Sequence, residues 1–134
     1  LNRGTPFFGV CVGLQVLLES SEEGDSQCLG VLKGRVCRLP TGLKVPHMGW
    51  NQVRLRGEHP VFKGMPQDSY FYFAHSYYPV PEDESVVLGT TEYGVEFCSV
   101  AARGNLIATQ FHPEKSGSVG LRLYDNFVRY LVHG

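Results

Sequence analysis

The apolar positions of this chain fall into short runs broken by glycine, proline and polar residues. Pro6-Phe7-Phe8-Gly9-Val10 carries no polar alternation, the pattern of a strand covered on both faces. A helix is predicted next, from about Val12 to Ser21, and then a loop at Glu22-Glu23-Gly24-Asp25. Leu29 to Leu39 reads as a strand interrupted at Gly34, followed by the turn Pro40-Thr41-Gly42. Val45 to Leu55 carries the string His47-Met48-Gly49-Trp50-Asn51 with a strand after it, and His59 to Gly64 reads as a short helical turn. Tyr70–Tyr78 is aromatic and strongly β by composition, ended by Pro79 and Pro81. Val86–Thr91, Val95–Ala102 and Leu106–Phe111 follow at short spacing, separated by Tyr93-Gly94 and Arg103-Gly104-Asn105, as in antiparallel hairpins. The tail predicts an amphipathic helix. Leu123, Tyr124, Phe127, Val128 and Leu131 fall on one face, and Arg122, Asp125, Asn126 and Arg129 on the other.

The whole is a mixed α/β pattern that opens on one strand–helix unit and becomes mostly antiparallel β. At 134 residues, 43% hydrophobic, it reads as a single domain, 1–134. A formal net charge of −1 points to neither a nucleic-acid nor an acidic-membrane partner. No run approaches the ~18 apolar residues of a transmembrane helix, and no signal peptide is visible. The chain begins at Leu1, not methionine, which leaves room for an upstream segment that was removed or left out. Cys11, Cys28, Cys37 and Cys98 form no C-x-x-C pair, which argues against a zinc site. Free thiols in a cytoplasmic enzyme are the better reading.

Gly9-Val10-Cys11-Val12-Gly13 places a cysteine where a strand turns sharply into a helix. Flanking glycines let the backbone make such a bend without a Cβ clash, and a helix N-terminus favours the thiolate. Most strings of this kind are buried, inert cysteines. Gln110-Phe111-His112-Pro113-Glu114-Lys115, far downstream, changes the balance. In an extended segment His112 and Glu114 project from one face, and Pro113 between them biases His112 toward β geometry. A carboxylate so held orients an imidazole whose other nitrogen faces a nucleophile.

Gly9 to Gly13 with Gln15, together with His112-Pro113-Glu114, resembles the triad motifs of class I (triad-type) glutamine amidotransferases. His47-Met48-Gly49-Trp50-Asn51, Tyr72-Phe73-Ala74-His75-Ser76-Tyr77-Tyr78 and Glu114-Lys115-Ser116-Gly117 narrow this to the glutaminase-subunit (HisH) family of imidazole glycerol phosphate synthase. The resemblance runs along essentially the whole chain but covers only about two thirds of a family member, with the amino-terminal portion absent. It implies a partial flavodoxin-like fold with a largely antiparallel carboxy-terminal part and a final helix.

The resemblance also implies an activity: L-glutamine is hydrolysed to glutamate and ammonia through a thioester on Cys11, with His112 as general base and acid and Glu114 orienting it. Ammonia then passes to the cyclase subunit, a (β/α)8 barrel, in histidine biosynthesis. The Val12 N–H would be one oxyanion donor, and the second, on an upstream loop in the family, lies outside this chain. Gln15, Ser76 and Tyr77 would border the substrate. Trp50, Asn51, Lys115 and Ser116 would face the cyclase. No cofactor or metal is implied. Two other readings stand beside this one: an inactive fragment serving as an interaction or oligomerisation module, and another class I amidotransferase. An apolar strand at Pro6–Val10 that lacks a neighbour also predicts self-association, most simply as a two-fold dimer.

Overall fold

A computed structural model describes residues 6–21 and 30–133. The loop expected at Glu22–Asp25, the start of the strand expected from Leu29, and Cys28 lie outside the described residues. Strand β1 (Phe7–Val10) turns at Cys11 into α1 (Val12–Gln15), followed by β2 (Ser20–Ser21), β3 (Gly34–Arg38), β4 (His47–Gln52) and β5 (Arg54–Leu55). After a 3-10 turn at Pro60–Phe62 come β6 (Tyr70–His75), β7 (Tyr77–Pro81), β8 (Val87–Glu92), β9 (Glu96–Arg103) and β10 (Leu106–Thr109). A 3-10 turn at Pro113–Lys115 leads into α2 (Gly117–Phe127), which continues as a wider π-type turn over Val128–Val132.

The main sheet has the order β1-β10-β9-β8-β5. Its β8–β9 and β9–β10 pairs are antiparallel hairpins, as the spacing predicts. β1 lies parallel to β10, from Phe7 opposite Leu106 to Val10 opposite Thr109. That pairing brings the two ends of the sequence together and sets Cys11 beside the residues that follow β10. Two smaller sheets, β2-β3-β7 and β4-β6, complete the body.

β1 is covered on both faces. Phe7 packs against a cluster built on Leu14, Leu17, Leu18, Val36 and Ala108. Phe8 packs on the other side against α2, with ring centroids 5.1 Å from both Tyr124 and Phe127. The second cluster is centred on Phe71, Phe73 and Phe111, all essentially buried. Among the described residues no helix is long and apolar enough to cross a membrane.

Several predicted elements need correcting. The first helix is one turn long, not ten residues. Leu17 and Leu18 bond back three residues, to Leu14 and Gln15, and Glu19 N–H then donates to the Gly34 carbonyl. Leu14, Leu17 and Leu18 are all buried, so a helix-like spacing serves a tight turn that feeds the sheet. β3 starts only at Gly34, where φ is +134° and a Cβ would lie 2.2 Å from the Val80 carbonyl oxygen.

The aromatic stretch divides at Ser76 into two strands belonging to different sheets, and Pro79 lies inside β7. β7 is an edge strand, where a missing N–H breaks no ladder. On the final helix Asn126 is buried and Val128 exposed, the reverse of the predicted faces. Asn126 Nδ2 donates to the Val61 and Lys63 carbonyls, both at 3.0 Å, and so fastens α2 to the Pro60 turn.

Candidate active site

Cys11 sits at the bend with φ 53° and ψ −102°. A side chain rarely occupies this region, so strain is stored at Cys11 itself. The bend is held by Cys11 N–H donating to the Thr109 carbonyl at 2.7 Å and by the Leu14 and Gln15 N–H groups donating to the Cys11 carbonyl. Of the two flanking glycines, Gly9 is the tight one. A Cβ there would lie 3.0 Å from the Gly13 carbonyl oxygen, whereas Gly13 faces open space.

The sulfur lies 3.8 Å from the Ala74 carbonyl and accepts from Gln110 Nε2 at 3.4 Å. Burial pushes the thiol pKa up, and the Val12 N–H and the Gln110 amide only partly offset this. The expected bias toward thiolate from a helix dipole is therefore not what dominates; a single helical turn supplies little of it.

The His112 turn is built differently. His112 N–H donates to the Tyr72 carbonyl at 2.8 Å, which docks the turn on β6. The buried Ser116 hydroxyl donates to the His112 carbonyl at 2.6 Å and accepts from Tyr72 N–H at 2.9 Å. Gly120 of α2 touches the turn so closely that a Cβ would lie 1.8 Å from the Pro113 carbonyl oxygen.

His112 Nδ1 lies 2.9 Å from Glu114 Oε2. With Nδ1–H donating to this carboxylate, Nε2 is left to take and give protons. Partial burial raises the Glu114 carboxyl, but the His112 hydrogen bond, a backbone N–H and the charges of His112 and Lys115 outweigh it and hold it below its usual range. The charges of Glu114 and Lys115 both bear on Cys11, raising and lowering its pKa respectively. The fold thus gathers the cysteine elbow and the His-Pro-Glu turn at one end of the β1–β10 pair. The contacts of Sγ are with Gln110 and the Ala74 carbonyl, not with His112.

The other predicted residues are placed as follows. Gln15 Nε2 donates to the Tyr77 carbonyl at 3.0 Å and to Gln110 Oε1 at 3.1 Å. Tyr77 therefore reaches the site through its backbone, while Arg38 stands over its ring at 5.8 Å. The Ser76 carbonyl accepts from Leu39 N–H. Trp50 and Asn51 lie on β4, opposite Tyr72 and Phe71. Trp50 is 54% exposed and Met48 61%, so the tryptophan is not a core residue. Lys115 is exposed, but Ser116 beside it turns inward.

Four polar residues of the motif strings are buried, Gln110, Ser116, His47 and His75, and their partners are not evident from the motifs alone. His75 Nδ1 donates to the Tyr77 carbonyl at 2.8 Å, so its Nε2 accepts from His47 Nδ1 at 3.0 Å. His47 Nε2 in turn accepts from Asn51 Nδ2 at 3.3 Å. This chain is satisfied only when both imidazoles are neutral, and burial lowers each pKa to about 4. A polar side chain inside an apolar run was the one available signal, as with Gln110 after Leu106-Ile107-Ala108-Thr109.

The chain is 55% identical to the imidazole glycerol phosphate synthase subunit HisH of Dehalococcoides mccartyi strain CBDB1, covering 96% of this chain and 63% of that protein. It is 54% identical to HisH of Moorella thermoacetica, covering 98% of this chain and 63% of that protein. The chain thus spans somewhat under two thirds of the length of these curated relatives. A solved glutamine amidotransferase from Thermotoga maritima shares the fold at a TM-score of 0.63 and 19% identity, covering 95% of this chain and 48% of that one. The model of the family described as glutamine amidotransferase class-I matches residues 1–130, and the chain belongs to that family.

Proposed function

We propose that this chain carries the glutaminase centre of an imidazole glycerol phosphate synthase. In this reading the Cys11 thiol gives its proton to His112, and the thiolate attacks the side-chain amide carbon of L-glutamine. The Val12 N–H faces the sulfur and stands ready as one donor for the oxyanion that develops. Collapse forms a thioester and releases ammonia, which takes its proton from His112. His112 then deprotonates water, which cleaves the thioester, releases glutamate and restores the thiol. Glu114 holds the imidazolium. The observation that carries the reading is the joining of a strained cysteine elbow to a His112–Glu114 pair by the β1–β10 ladder.

Ammonia released here would go to a cyclase barrel. One face of β4–β6 supports docking of such a partner: Met48, Trp50 and Tyr70 are exposed on it, and Ala74 of the same pair of strands touches the sulfur. Trp50 and Lys115 belong to the proposed contact; Asn51, which the resemblance assigns there, turns to the opposite face of β4, where its Nδ2 donates to His47 and to the Glu92 carbonyl. Gln15, Ser76 and Tyr77 are assigned to the substrate side. The outer edge of β1 is proposed to pair with another strand, in a second copy of this chain when no other segment covers it.

Glutamate release from L-glutamine, measured with and without a cyclase subunit, tests the proposal. Removing one oxyanion donor costs on the order of 10²–10³ in rate, so a chain in which the Val12 N–H acts without a second donor is expected to turn over slowly. Whatever release is seen should disappear in Cys11→Ser and in His112→Asn. Release that survives Cys11→Ser would overturn the assignment.

A further inference from the structure

Gln110 is fully buried, and none of the roles above accounts for it. Its side chain bridges two groups: Nε2 lies 3.4 Å from Cys11 Sγ, and Oε1 lies 3.1 Å from Gln15 Nε2. A primary amide taken out of water is costly unless both ends are satisfied. Which end faces the sulfur follows from a backbone group. The Tyr77 carbonyl can only accept, so the Gln15 atom 3.0 Å from it is the amide nitrogen. That same nitrogen faces Gln110, which must offer its oxygen there and its NH2 group to the sulfur. Reversing Gln110 alone would set two donors against each other; reversing both would set the Gln15 oxygen against the Tyr77 carbonyl.

We propose that Gln110 is a further catalytic residue, whose amide N–H holds the Cys11 thiolate, and that Gln15 is a positioning residue that keeps this amide from turning over. The proposal rests on the reading of Cys11 as nucleophile. A donor aimed at sulfur stabilises the charged form more than the thiol, since hydrogen bonds to ionised groups are the stronger ones. It works here against burial, which favours the thiol. The other groups that face the sulfur are the Val12 N–H on α1, the Ala74 carbonyl on β6, and the charges of Glu114 and Lys115 on the His112 turn. His112 bears on His75, so both imidazoles lie at this end of the sheet.

The test is the rate of Cys11 alkylation by iodoacetamide, resolved by peptide, from about pH 7 to about pH 11.5, a range extended upward because burial already lifts this thiol. In Gln110→Leu the midpoint should rise by about one pH unit, a tenfold slower reaction below it, with the same plateau at high pH. The near-isosteric Gln110→Glu should raise it at least as far, by setting a carboxylate against the sulfur. Gln15→Met, which frees the amide to reverse, should raise it by less. A merely structural role would change the plateau, or the reactivity of every thiol together, and leave the midpoint in place. An unchanged midpoint in the folded Gln110 variants overturns the proposal. Should those variants not fold, an unchanged midpoint in Gln15→Met does so. No glutamine enters the assay, so a chain that fails to hydrolyse glutamine still answers this question.

Discussion

His112 is held by three independent contacts around its own turn, whereas Cys11 is held by one strand ladder, one helical turn and its own strained backbone. The docking on Tyr72, the Ser116 clamp and the close fit of Gly120 under Pro113 all come from sequence within or just after the motif, or from β6. They fix the orientation of the proposed acid–base pair, His112 and Glu114, within the turn itself. The elbow has β10 as its hydrogen-bonded neighbour in the sheet, and Val12 beyond it is 63% exposed. The His112 turn is thus fixed by contacts close to its own motif, whereas the Cys11 elbow depends on the strands that neighbour β1, of which β10 is the one among the described residues.

Among single substitutions, removing the packing beneath the His112 turn should have the largest effect. Phe111 is fully buried and stacks on Phe71 at 4.1 Å. Phe111→Ala should cost about 3–5 kcal/mol in denaturant unfolding. A loss below about 1 kcal/mol would show that the turn does not depend on that core.

Acid should come next. His47 and His75 stay neutral in the folded chain down to about pH 4, while the unfolded chain takes up protons near pH 6.5. The unfolded state then binds more protons, so stability falls as pH drops through this window and stops falling below it. Each imidazole contributes a slope approaching about 1.4 kcal/mol per pH unit. Equal stability at pH 7 and pH 5 would contradict the neutral pair.

The strain at the elbow is tested by two variants that both lack the thiol. Cys11→Gly accepts φ 53° freely and Cys11→Ala does not, so the glycine variant should be the more stable by about 1–3 kcal/mol. The opposite order, read in parallel thermal melts, would mean the elbow relaxes once sulfur is gone. A smaller effect is expected of the clamp. Ser116→Ala leaves the Tyr72 N–H unpaired and should cost about 1–2 kcal/mol while slowing glutamate release. An unchanged rate would remove Ser116 from the account of how His112 is held.

Much of this was legible in the sequence because the signals are local. The β8–β9–β10 hairpins follow from turn residues between apolar runs, and the elbow from glycines around Cys11. What was not legible depends on contacts between distant residues. Leu14, Leu17 and Leu18 have the spacing of a longer helix, yet pairing of Glu19 with Gly34 draws the chain into a sheet instead. Asn126 looks like a solvent-facing helix residue until the carbonyls of the Pro60 turn are set beneath it. His47 and His75 meet only because β4 and β6 pair in that register. Gln110 stands next to a recognisable motif, but its partners, Cys11 and Gln15, lie at the other end of the chain.

Covalent labelling probes the proposed role of Cys11 as the glutamine-directed nucleophile without relying on turnover. A glutamine analogue with an electrophilic carbon in place of the side-chain amide should modify Cys11, and L-glutamine should protect it. Cys98, buried with its pKa pushed up to about 12, should stay unmodified under the same conditions. Labelling that falls on Cys28, Cys37 or Cys98 in preference to Cys11, or labelling of Cys11 that glutamine does not slow, would contradict the account.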